Sequence, residues 1–217
     1  MENTLTLSTA VTGVVVVVAI LVQLDILRSS SIEVPISLYA IQSFFIAVFS
    51  ATVAIQSGRI DLVVIVILTI VIKVWLIPSI FHYVIRRSKT SIVIPMTIKP
   101  PLSIIFGLLL VTLSFLATIS LKGDFTVAIS VGLAIVAVSF QIMATRHHVI
   151  PQIIALLTQE NGIFLITIAI APGLPILVGI LILLDVLVAV VVFGILIRFL
   201  DTRLSMASTH ELSQLKG

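Results

Sequence analysis

Apolar residues in this 217-residue chain fall into seven stretches, each close to the length of a bilayer-spanning helix and separated by short polar or proline-bearing breaks. A crossing needs about 20 predominantly apolar residues. The stretches run Thr9–Leu27, Ser37–Gln56, Leu62–Val84, Leu102–Leu121, Phe125–Ala144, Ile150–Ala171 and Ile176–Phe199. The breaks fall at Pro35, Gly58–Asp61, Arg86–Pro101, Lys122–Asp124, Arg146–His148 and Pro172–Pro175. Valine and isoleucine dominate, as in Val14–Val18, and in water such runs would read as strands. In lipid a lone strand leaves its backbone unsatisfied and a helix does not, so length decides for helix. The alternation of a membrane β-barrel is absent. The pattern predicts an all-α membrane protein of seven transmembrane helices.

Composition supports lipid as the solvent: 60% of residues are hydrophobic and 10% are charged, too little polar surface for a water-facing globule. The chain has no cysteine, which excludes a disulfide framework, a thiolate zinc site and protein-ligated iron–sulfur clusters. The first apolar stretch is followed by Asp25 and Arg28 rather than a small-residue cleavage site, and so reads as a retained helix.

Orientation follows from lysine and arginine. One side of a seven-helix arrangement carries Arg59 and Lys122, the other Arg28, Arg86, Arg87, Lys89, Lys99, Arg146, Arg198, Arg203 and Lys216. The positive-inside rule then places the N-terminus outside and the C-terminus in the cytoplasm. The basic connection from Arg86 to Pro101 reads as a topology anchor, or as a docking surface for an acidic partner or lipid headgroup. The tail after Asp201 is expected on the cytoplasmic face.

Against this apolar background, Lys73, Glu160 and Asp185 each lie near the middle of a stretch. Charge at that depth costs about 2.5–3.5 kcal/mol per residue on insertion scales, so such residues are functional candidates by default. Glu160 stands nine residues past Pro151 and Asp185 ten past Pro175. At 1.5 Å per residue both are about 14–15 Å along their helices, near the middle of a roughly 30 Å core. A short hairpin makes the last two helices antiparallel neighbours, which predicts that the two acids reach similar depth. Gln152, Gln159, Glu160 and Thr167 fall within a sector of about 100° on a helix. That polar stripe suits a water-bearing half-channel, and an acid there can take a proton from one side and release it to another. Lys73 has Thr69 one turn before it and Pro78 five residues after it. Pro78 cannot donate to the carbonyl of Val74, which leaves an acceptor near the lysine and loosens the helix. Lys73 reads as a proton carrier or carboxylate partner, or equally as a structural ion pair that fixes helix packing.

A weak parallel repeat is visible. Lys73 precedes Arg86 by thirteen residues, and Asp185 precedes Arg198 by thirteen. The helix before each carries a polar cluster: Tyr39, Gln42 and Ser43, then Gln159, Glu160 and Asn161. Chance similarity between apolar helices explains the repeat as well as a transporter-like duplication does. His147 and His148 are about 100° apart on a helix, poor geometry for a shared metal, and read as interfacial. His82 and Tyr83 read as headgroup-level anchors. Gly162, Gly173 and Gly179 read as close-packing positions. No phosphate loop, HExxH pattern or nucleophile motif appears, so the chain is expected to perform no covalent chemistry.

Tyr39-Ala40-Ile41-Gln42-Ser43, Lys73-Val74-Trp75-Leu76-Ile77-Pro78, Gln152-Ile153 leading to Glu160-Asn161-Gly162, Asp185 with Ala189, and the closing Leu215-Lys216-Gly217 together resemble the hydrogenase-4 component E family. The resemblance covers essentially the whole chain. It implies a non-catalytic subunit in the membrane arm of a formate-hydrogenlyase-type, group 4 [NiFe]-hydrogenase complex, kin of respiratory complex I, in the cell (inner) membrane. Residues 125–200 resemble the three-helix K-type subunit of complex I, with Glu160 and Asp185 in the positions of its two buried glutamates. Residues 1–101, holding three helices and the basic connection, and the connecting helix of 102–124 have no counterpart there; 201–217 form the tail. The implied partners are antiporter-like membrane subunits, an H-type membrane anchor and a peripheral hydrogenase arm. A nickel–iron centre and iron–sulfur clusters belong to those partners, no cofactor or metal to this chain, and nucleic acid is no partner.

The expected proton pathway is Glu160, Asp185, Lys73, Gln159, Gln152 and Thr69. The rivals are a small subunit of a multi-subunit cation/proton antiporter and a structural membrane spacer. A seven-helix retinal protein is disfavoured, because the membrane lysine lies in the third stretch and Trp75 is the sole tryptophan.

Overall fold

The computed structural model describes residues 2–31, 33–88, 98–123, 126–170 and 194. Apart from Gly194, the seventh stretch with Asp185, Ala189, Gly179 and Arg198 lies outside the described residues, as do the Pro172–Pro175 hairpin, most of the basic connection and the tail.

The described chain is helical: α1 (Glu2–Arg28), α2 (Glu33–Ser57), α3 (Ile60–Thr69), a π-helical segment (Ile70–Leu76), α4 (Ile77–Ser88), α5 (Pro100–Thr118), α6 (Thr126–Thr145) and α7 (Val149–Ile170). α3, the π segment and α4 follow one another without a break, as one rod. Among the described residues, six helices are long and apolar enough to cross a membrane, the rod counting as one.

Helix boundaries move by a few residues from the hydropathy pattern, for local reasons. α2 begins at Glu33, so Pro35 sits inside its first turn rather than before it; a first-turn proline loses no helical hydrogen bond. Gly58 adopts φ 64°, the left-handed region, and turns the chain between α2 and α3. Asp61 in the first turn of α3 is gripped by Arg59 through Nε–Oδ1 at 3.0 Å and Nη2–Oδ2 at 2.6 Å. That hydrogen bond holds the Arg59 guanidinium above its ordinary range. α5 closes at Thr118, where Ile119 N–H tightens onto Leu116 O.

α7 and α6 are the most enclosed helices, and α5 and the rod the least. α7 packs on α6 and α2, and α2 also packs on α1 and the rod. One face of α5 (Leu102, Ile105, Phe106, Leu109, Leu113, Leu116) and one of the rod (Val63, Val64, Ile67, Val71, Trp75) remain exposed. Large apolar faces of this extent are what lipid contact requires.

Small residues set the closest approach. A Cβ on Gly132 would lie 2.7 Å from Gly162 O and 2.5 Å from Ile166 Cγ1. Gly162 therefore acts as a close-packing position, the small-residue contact common between helices in lipid. At one end of the bundle, the buried Arg146 guanidinium donates from Nη2 to Leu27 O at 2.6 Å, closing the C-terminus of α1. Burial lowers the Arg146 guanidinium from its ordinary value. Gln152 Nε2 in turn donates to Arg146 O at 2.8 Å, fixing the α6–α7 turn.

Candidate functional site

The site forms where the π segment faces α7. Lys73 and Glu160 are buried, with side chains 2% and 4% exposed, and Lys73 Nζ lies 3.6 Å from Glu160 Oε2. Lys73 Nζ also donates to Asn161 Oδ1 at 3.4 Å and stands 5.5 Å from the centre of the Phe164 ring. Residues 160, 161 and 164 fall within about 100° on a helix, so α7 presents carboxylate, amide and aromatic face together.

The π segment explains how lysine reaches this triad. Its closing bond runs from Ile77 N–H to Ile72 O, one residue longer than the α-helical step. Pro78 follows at once and brings no N–H for the carbonyl of Val74. Side chains occupy the neighbouring carbonyls: Ser79 Oγ donates to Trp75 O at 2.6 Å, and the His82 ring N–H donates to Pro78 O at 2.8 Å. His82 is thus tied to its own helix. Tyr83 is exposed.

Magnitudes favour a paired site. Placing two charges at mid-bilayer costs about 2.5–3.5 kcal/mol each on insertion scales. Two unit charges about 4 Å apart attract by about 4 kcal/mol at an effective dielectric of 20. Attraction alone covers most of that cost, and the Asn161 hydrogen bond and the Phe164 cation–π contact add to it. Either charge without the other would be strongly unfavourable here.

A buried hydrogen-bonded chain leads away from the pair. Asn161 Nδ2 donates to Ser43 Oγ at 2.9 Å and to Gln42 Oε1 at 3.3 Å. Gln42 Nε2 donates to Gln23 Oε1 at 2.9 Å, and Gln23 Nε2 donates to Ser139 Oγ at 3.0 Å. Ser139 Oγ meets Thr158 Oγ1 at 2.9 Å, which returns the chain to α7. It crosses α1, α2 and α6 inside the bundle. Every amide in it accepts on the side nearer Lys73 and donates away, so the oxygen ends point toward the ammonium. Amides aligned in this way polarise one another.

Of the sequence candidates, Lys73 and Glu160 are brought together. Thr69 is buried one turn before Lys73, and its hydroxyl has no hydrogen-bond partner among the described residues. Gln159 is part-buried, with its Oε1 likewise unpartnered among the described residues. Gln152 serves the α6–α7 turn, and Thr167 Oγ1 bonds back to Ile163 O at 2.9 Å. The hydrogen-bonded face of α7 therefore runs through Thr158 and Asn161 rather than along the Gln152–Gln159–Thr167 stripe. Asp185 lies outside the described residues. Gln23, Ser139 and Thr158 carried no sequence signal: serine and threonine in apolar helices usually bond their own backbone, and here one of the two hydroxyl protons goes that way, to Ile135 O or Ala155 O, while the other joins Ser139 to Thr158.

Among the described residues no group of three or more His, Cys, Asp or Glu could hold a metal ion. Compared with family models, curated proteins and solved structures, the chain gives no match.

Proposed function

We propose that this chain is a non-catalytic, multi-pass subunit of a redox-driven, proton-translocating membrane complex of the hydrogenase type, related to complex I. Lys73 and Glu160 would exchange a proton within the bilayer, and Asp185 would continue the path toward a neighbouring subunit. The N-terminus would lie outside and the basic end in the cytoplasm. Antiporter-like subunits, an H-type anchor and a peripheral arm with nickel–iron and iron–sulfur centres would complete the assembly.

The observation that carries this reading is the buried Lys73–Glu160 pair at 3.6 Å. An ionisable pair at mid-span is costly, and its usual role in membranes is an ion or proton path. Further support comes from convergence: the stretches that resemble component E, Tyr39–Ser43, Lys73–Pro78 and Glu160–Gly162, supply Ser43, Gln42, Lys73, Glu160 and Asn161 to one cluster.

The test is Glu160→Gln in the native assembly in membrane vesicles. Expected is a less stable complex that still assembles, with peripheral redox activity per assembled complex unchanged with artificial acceptors and proton translocation lost. Unchanged translocation at equal expression would overturn the reading. The antiporter rival is separated by the co-purifying subunits: a [NiFe] large subunit favours the hydrogenase assembly, and a full antiporter set without one favours transport.

A further inference from the structure

The groups around the Lys73 ammonium are those a small monovalent cation would choose. A carboxylate oxygen, an amide oxygen and an aromatic face converge at 3.6, 3.4 and 5.5 Å. Hard cations take carboxylate and carbonyl oxygens, and organic cations take aromatic faces. Behind Asn161, the amides of Gln42 and Gln23 turn their oxygens the same way, so the cluster is polarised for positive charge at that point. All of these side chains are buried. The lysine's own ammonium fills the position. Being carried on a helix that lines the site, it competes without the loss of translational freedom that binding a free ion entails. A second cation a few ångströms away would meet strong repulsion at low dielectric, whereas a proton moving between Lys73 and Glu160 brings none.

We infer that this cluster is a monovalent-cation cradle occupied by the protein's own lysine, and that Lys73 thereby sets ion specificity: protons pass, and sodium and potassium are excluded. The specificity rests on the proton-pathway reading above; the cradle does not. Cutting Lys73 back to alanine removes three carbons and the ammonium, which together match n-propylammonium. The cradle of Lys73→Ala therefore takes n-propylammonium, and Lys73→Met, which fills the space with an apolar tip, does not.

Two measurements on the native assembly test this. In thermal unfolding of purified material, n-propylammonium chloride raises the midpoint of Lys73→Ala relative to choline chloride, and leaves the wild type and Lys73→Met unmoved. In vesicles, charge translocation is read as membrane potential, which a permeant amine does not collapse as it does a pH gradient. Wild type pumps equally in sodium and in choline; Lys73→Ala stops and recovers with n-propylammonium. An assembled Lys73→Ala indifferent to the amine in unfolding overturns the cradle. Wild-type pumping that needs sodium overturns the specificity, and this comparison decides even where Lys73→Ala fails to assemble. If Glu160→Gln pumps normally while the amine still stabilises Lys73→Ala, the pathway reading fails and the cradle stands.

Discussion

Gly162 and Gly132 meet backbone to backbone: a Cβ built on Gly162 would lie 2.6 Å from the Gly132 carbonyl oxygen. This crossing sits next to Asn161 in sequence and one residue further from Glu160, so the closest contact between α6 and α7 also aims the site. Two helix backbones cannot move apart locally without rotating the side chains they carry. The site is therefore held from behind by the absence of side chains.

Gly162→Ala is expected to lower stability by about 1–3 kcal/mol, the usual range for overpacking. Gly132→Ala, facing Gly162 O at 2.7 Å, should cost a similar amount. Unfolding midpoints in detergent of graded denaturing strength measure both. A midpoint equal to wild type in either variant would show that the helices separate at no cost, against the contact described.

Lys73 and Glu160 should behave as one unit. Glu160→Gln or Lys73→Met alone leaves one buried charge unpaired, a loss of about 3–5 kcal/mol, whereas replacing both is often close to neutral. The doubly substituted protein is therefore expected to unfold near the wild-type midpoint, above either single variant. Additive losses would mean that the two groups do not interact.

The fold was legible in the sequence where length decided, as where α6 closes at Thr145 and α7 opens at Val149, each within a residue of the hydropathy limit. Polarity at depth made Lys73 and Glu160 visible because charge in lipid is costly regardless of neighbours. Which groups face each other was not legible. A helical wheel places Gln152, Gln159 and Glu160 on a common stripe, but it carries no information on where α2 or the π segment lies. Gln23 was invisible for a related reason: its partners Gln42 and Ser139 are 19 and 116 residues away in the chain, and only packing joins them.

Asn161 links the pair to that chain, and its removal should be mild in stability. Single interhelical hydrogen bonds in membranes average about 0.6 kcal/mol and reach about 1.7. Asn161→Leu removes contacts to Lys73, Ser43 and Gln42, so a loss of about 1–2 kcal/mol is expected on that basis. Ser43→Ala should cost less and should be non-additive with Asn161→Leu. Full additivity of the two would show that the Asn161–Ser43 contact contributes nothing.

Arg146 sets a contrast between charge and reach. Its guanidinium closes α1 at Leu27 O from a buried position, and burial lowers its proton affinity. Arg146→Lys keeps a charge on a shorter side chain with no planar guanidinium to bring a donor to Leu27 O, while Arg146→Met removes the charge with the bond. Hydrogen bonds to charged groups contribute about 1.5–3 kcal/mol, which is the expected loss for Met. Lys should lose at least as much, since it carries an unplaced buried charge. A Lys variant as stable as wild type would show that the position needs only positive charge.

The π segment gives the sharpest local test. Its seven residues end where Pro78 withholds an N–H from Val74, and the bond from Ile77 N–H to Ile72 O spans five residues in place of four. Pro78→Ala restores the donor, so an ordinary α-helical ladder becomes available through Lys73. Converting a π turn to an α turn shifts the register by about one residue, or about 100° around the axis. Lys73 would then leave the face that meets Glu160. The expected result is that the coupling energy between Lys73 and Glu160, measured as a double-mutant cycle, collapses in the Pro78→Ala background. If the coupling is retained there, the packing of α2 and α7 holds the π geometry, and the proline merely tolerates it.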